Sequence, residues 1–96
     1  MSDKLNELSV NFKDDSGEVL VKELKKEVLS KGAWSTVMFL YQDRSNSKAE
    51  FSAPKVSIRR YQKRGDDYFQ RSKFNISSEK QAKLIVDNLK KWYEFQ

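Results

Sequence analysis

Residues 55–78, KVSIRRYQKRGDDYFQRSKFNISS, constrain the fold more than any other stretch. In 55–63 side chains alternate between two faces, because a strand repeats every two residues. Val56 and Ile58 point one way, which predicts a core face. Lys55, Ser57, Arg59, Tyr61 and Lys63 point the other way, three cations and a flat ring among them. Arg64-Gly65-Asp66-Asp67 reads as a hairpin turn, and 68–76 as the returning strand. There Tyr68, Gln70, Ser72, Phe74 and Ile76 are expected on one face, and Phe69, Arg71, Lys73 and Asn75 on the other. Ser78 followed by Gln81 has the spacing of a capping box. Beyond it Ala82, Ile85, Val86, Leu89 and Trp92, with Tyr93, make one apolar stripe of a helix, and Lys80, Lys83, Lys90 and Lys91 its wet side.

The chain before this hairpin is less sharply punctuated. Residues 33–42, AWSTVMFLYQ, are rich in aromatic and β-branched side chains and read as a strand. Trp34, Met38 and Leu40 share one face; Val37, Phe39 and Tyr41 share the other. Apolar character on both sides predicts cover on both sides. In a chain of 96 residues that favours a homodimer, with the terminal helix packed on one sheet face. In 18–30 Leu20, Leu24 and Val28 fit either a helix or one face of a strand, and Lys31-Gly32, able to close a tight turn, leans towards the strand. Residues 43–54 form a polar loop ending in Pro54. Residues 1–17 are expected to be an acidic mobile arm, in which Leu8, Val10 and Phe12 leave room for a short edge strand. The rest, 18–96, is then one domain.

Charge adds a functional direction. The formal net charge is +5, but residues 1–18 carry two cations against five anions, and residues 44–75 carry nine cations against three anions. A concentrated positive field attracts polyanions, nucleic acid foremost. The absence of cysteine and histidine removes thiolate metal sites, the usual zinc ligand and the usual general base. Asp66-Asp67 are explained by turn chemistry. With only Gly17, Gly32 and Gly65 there is no glycine-rich phosphate loop. A non-enzyme without metal or cofactor is expected. No apolar run approaches the roughly 18 residues of a membrane span, and a cytoplasmic location follows as the simplest expectation.

The run KVSIRRYQKRGDDYFQRSKFNISSEKQAKLI resembles the core of positive-cofactor-4-like proteins, the transcriptional coactivator group. Val56-Ser57-Ile58-Arg59-Arg60-Tyr61 stands where that family's second strand would, and Lys73-Phe74-Asn75-Ile76-Ser77 where its Lys-Gly-Ile-Ser-Leu step would. The similarity covers about residues 33–92, and Whirly and Pur-alpha proteins look like relatives of the same architecture. It implies an α+β fold, a curved antiparallel β-sheet followed by a C-terminal amphipathic helix, paired as a homodimer that grips single-stranded nucleic acid. On this view Arg59, Arg60, Lys63, Arg71 and Lys73 neutralise phosphates, and Tyr61 and Phe69, with Trp34 or Phe39, stack on bases, in DNA or RNA. The competing expectation is a protein-interaction module of the same fold, its cations serving solubility.

Overall fold

Five antiparallel strands follow one another in chain order across a single curled sheet in the computed structural model, which describes residues 4–45 and 49–94. β1 is Phe12–Lys13, β2 Val19–Ser30, β3 Trp34–Asp43, β4 Lys55–Arg64 and β5 Asp67–Ile76; one helix, α1, covers Glu79–Tyr93. Every connection is a hairpin or a loop to the neighbouring strand, so the sheet is a meander. The stretch 18–30, which fitted helix or strand, is thus a strand from Val19 to Ser30. No described helix is long and apolar enough to cross a membrane.

The turns follow their sequence chemistry. The Asp14 carboxylate accepts hydrogen bonds from Ser16 N (3.0 Å), Ser16 Oγ (2.7 Å) and Glu18 N (2.9 Å) and closes the β1–β2 turn. Those donors, the Ser16 hydroxyl first, hold Asp14 below its ordinary carboxylate range. Between β4 and β5, Arg64 pairs with Asp67. That leaves Gly65-Asp66 as a two-residue turn, with Gly65 at φ 62°, a positive value suited to glycine in the first central position. In the 43–54 loop, Phe51 lies between Lys22 (4.4 Å) and Arg44 (5.3 Å). Arg44 also donates through Nε to the Val19 carbonyl (3.0 Å). Lys55 donates to Asp43 at 3.1 Å. Burial raises the Asp43 pKa, but hydrogen bonds from Lys55 and Ser52 outweigh it and leave the carboxyl below its usual range. Lys48, counted above among the basic-region cations, lies outside the described residues.

The core occupies one face of the sheet. Ser35, Val37, Phe39 and Tyr41 of β3 are buried there, next to Ser57 and Tyr61 of β4. Their cover is the N-terminal segment, expected as a mobile arm. A short 3-10 turn over Lys4–Glu7 and the residues after it fold back across this inner face. Leu5 is fully buried, Val10 nearly so, and Leu8 packs against the same cluster. Lys26 fixes the segment by donating to the carbonyls of Leu5 (2.7 Å) and Leu8 (2.8 Å). The physical reason is the surplus of large apolar side chains on the inner face of β3. Left wet, each would forgo about 1.5–3 kcal/mol of burial, and Leu5, Leu8 and Val10 are the apolar groups within reach. The orientation of β4 is likewise the reverse of expectation: Ser57 and Tyr61 face the core, while Val56 and Ile58 are half-buried on the outer face.

The helix departs from expectation in the opposite sense. Ser78 caps it as read, its Oγ accepting from Gln81 N (3.1 Å), while Gln81 Oε1 accepts from Ser77 N (3.0 Å), one residue before the cap. Yet α1 buries none of its residues. Only Ala82 and Ile85 of its stripe are even half-buried, and Trp92 is 72% exposed. The helix does not pack across its own sheet. The radius of gyration is 15.4 Å and the extents are 48 × 38 × 20 Å, against about 13 Å for the radius of gyration of a compact 100-residue domain.

Candidate nucleic-acid interface

Strand register decides which of the expected contact residues can act together. Trp34 pairs with Gln62 and Gln62 with Phe69, a row across β3, β4 and β5 on the outer face. The next row is Thr36, Arg60 and Ser72, followed by Met38, Ile58 and Phe74, then Leu40, Val56 and Ile76. The outer face is therefore divided. One half is aromatic and cationic; the other is apolar and runs towards the start of α1, where Leu40, Val56, Ile76 and Ala82 line one hollow.

In the aromatic half, Trp34 is 44% and Phe69 45% exposed. Arg60 lies over the Trp34 ring at 4.7 Å, and Arg71 is 5.8 Å from the Phe69 ring. Each exposed ring thus has a guanidinium beside it. Adjacent strands are about 4.8 Å apart, so the two rings stand about 10 Å from each other with Gln62 between them. Arg71 Nε donates to Gln62 Oε1 at 3.0 Å and ties two of the three strands together through side chains.

A β-bulge creates this grouping. Pairing of β4 with β5 shifts between Arg60 and Tyr61: Arg60 opposes Ser72, Tyr61 opposes Gln70, and Arg71 is the extra residue. Past a bulge, side chains exchange faces. Strict alternation placed Phe69, Arg71, Lys73 and Asn75 together. The bulge instead puts Arg71 with Phe69 and Gln62 on the outer face, while Lys73, opposite Arg59, belongs to the inner face. Among the residues singled out from the sequence, Phe39 is buried in the core, while Trp34, Arg60, Phe69 and Arg71 share the outer face. Arg59, Tyr61, Lys63 and Lys73 share the inner face.

The inner group is less suited to a ligand. Tyr61 is only 5% exposed, a core side chain beside the N-terminal segment and not a free stacking surface. Burial pushes its phenol above the ordinary value against the pull of Arg59, so the hydroxyl stays protonated. Arg59 is occupied: Nε donates to Ser57 Oγ (3.1 Å), a terminal nitrogen donates to Gln70 Oε1 (3.2 Å), and its guanidinium lies 5.9 Å from the Phe39 ring. Lys63 and Lys73 are exposed, Lys63 near Tyr68 at 5.9 Å. Gln62 was missed in the sequence. An uncharged polar residue in a strand carries no signal until its register neighbours are known.

Compared with protein-family models, with curated proteins and with solved structures, the chain has no match.

Proposed function

We propose that this protein binds single-stranded nucleic acid on the outer face of β3–β5. The observation that carries the reading is the row Trp34–Gln62–Phe69: two half-exposed rings in one row of the sheet, two strands apart, each beside a guanidinium. Rings of this kind stack on bases irrespective of sequence, and cations at their rims neutralise phosphates. Paired bases cannot offer their faces, so the same geometry selects single strands over duplex. Arg60 and Arg71, with Arg64 at the end of β4, supply the nearest charges; Lys63 and Lys73 extend the positive field around the sheet edge. The resemblance to positive-cofactor-4-like proteins supports the same class of ligand.

The working unit in this proposal is a homodimer. Each chain has an uncovered apolar helix stripe and an uncovered apolar half-face of Met38, Ile58 and Phe74, and a second copy covers both reciprocally. A protein-interaction module is the second reading, favoured by that same apolar half-face. The two separate in a titration with a single-stranded oligonucleotide and a matched duplex at two salt concentrations. Expected are preference for the single strand, a salt slope of about −0.7 per phosphate contacted, and a loss of roughly 1–3 kcal/mol for Trp34→Ala at unchanged slope. Arg60→Gln flattens the slope instead. Equal affinity for duplex and single strand, with Trp34→Ala silent, transfers the assignment to protein binding.

A further inference from the structure

Gln62 sits between the two rings with its amide already half committed. Arginine has only donors, so the group accepting from Arg71 Nε at 3.0 Å is the Gln62 carbonyl oxygen. The orientation of the amide is therefore fixed by chemistry. The NH2 group points away from Arg71 and has no hydrogen-bond partner among the described residues, on a side chain that is half-buried in the row. A base stacked on Trp34 or Phe69 brings its edge to this NH2. Arg60 and Arg71 beside it are donors as well. Thr36 and Ser72 hydroxyls, one row away, both donate and accept and add no bias.

We propose that Gln62 is a specificity-determining residue of this face. It favours bases with a carbonyl at C4 of a pyrimidine or C6 of a purine (thymine, uracil, guanine) over those with an amino group there (cytosine, adenine). A carbonyl accepts from the free NH2; an amino group meets a donor with a donor, and one hydrogen bond is left unmade. The inference rests on the single-strand reading above. Arg71 acts in it as the positioning residue: it occupies the oxygen and so denies the amide its other orientation.

The test compares oligo-dT with oligo-dC of equal length at neutral pH, by fluorescence anisotropy. Both are pyrimidines, and they differ at C4. The wild type is expected to bind dT about tenfold more tightly, the scale of one hydrogen bond made against one lost. Gln62→Leu removes the difference and retains binding to dC. Arg71→Met weakens both oligomers by its lost charge and also collapses their ratio, because the freed amide can turn to either base; this second variant keeps the test valid if Gln62→Leu folds poorly. A wild-type ratio near one, or a ratio that survives Gln62→Leu, overturns the assignment of Gln62, while a continued loss on Trp34→Ala leaves the single-strand reading standing. No binding of either oligomer overturns both.

Discussion

Residues 4–10 hold three apolar side chains and bury two of them almost completely; α1 carries a full apolar stripe and buries none of it. The difference lies in what each end can reach. The N-terminal segment runs back over the inner face of β3, where Val37, Phe39 and Tyr41 wait uncovered by any other element. It gains a core contact with each leucine or valine it lays down. The helix leaves the last strand through Ser77 and Ser78, and only the start of its stripe, Ala82 and Ile85, meets the sheet end. Amphipathicity states that a face is to be buried. Chain geometry decides against what, and here one end is satisfied within its own chain while the other stays largely exposed.

The largest expected effect tests the satisfied end. Leu5→Ala removes a fully buried side chain and is expected to destabilise by about 2–5 kcal/mol, measured by chemical denaturation. A change within about 0.5 kcal/mol, the range of an exposed position, would show the segment to be a loose arm after all. At the other end, Trp92→Ala tests the helix. In a lone protomer it is nearly silent. In the proposed dimer, wild-type stability rises by about 1.4 kcal/mol per tenfold increase in protein concentration, and Trp92→Ala abolishes that dependence. Light scattering giving the 11.3 kDa protomer mass at micromolar concentration would refute the dimer.

Ser78→Ala comes next in size. Its hydroxyl accepts from Gln81 N at 3.1 Å, and loss of such a cap costs about 1 kcal/mol. If α1 is held only by its own backbone, the cost appears as lost helical circular dichroism with the sheet's denaturation midpoint unchanged. If a partner holds α1, helix and sheet unfold together and the midpoint falls.

Much of this architecture was legible, and its limits are physical. The three strands β3, β4 and β5 followed from composition and alternation, and the β4–β5 hairpin from Arg64-Gly65-Asp66-Asp67; α1 followed from Ser78, Gln81 and a 3.6-residue stripe. Three things were not readable. The bulge at Arg71 has no glycine to announce it, yet it exchanges faces and so regroups the site. Val56 and Ile58 look more apolar than Ser57 and Tyr61, but β4 takes its orientation from register with Phe39 and Val37 across the sheet. Leu5 and Val10 are separated by polar residues, and their burial depends on an uncovered strand 30 residues away in the chain, which no local pattern reports. The division of the expected site residues between two faces thus needed the fold.

The smallest effect concerns an ion pair that joins the N-terminal segment to the β4–β5 turn. Lys4 Nζ lies 2.8 Å from Asp67 Oδ1, with both side chains largely in water. The Asp67 hydrogen bond raises the Lys4 pKa above 10.5. A lysine raised in the folded state contributes stability that is fully present below its unfolded value and lost as pH rises through the folded one. The contribution is therefore present at neutral pH and disappears only in strong alkali. Exposed pairs are also screened by salt and offset by the entropy of holding two long side chains. Lys4→Gln is accordingly expected to leave the denaturation midpoint at neutral pH unchanged within error, at low and at high salt. The segment stays in place because Leu5 is buried and Lys26 holds two of its carbonyls. A salt-sensitive loss approaching that of Leu5→Ala would mean that charge, not burial, closes the segment over the inner face, and the contrast between the two ends would no longer rest on what each can bury.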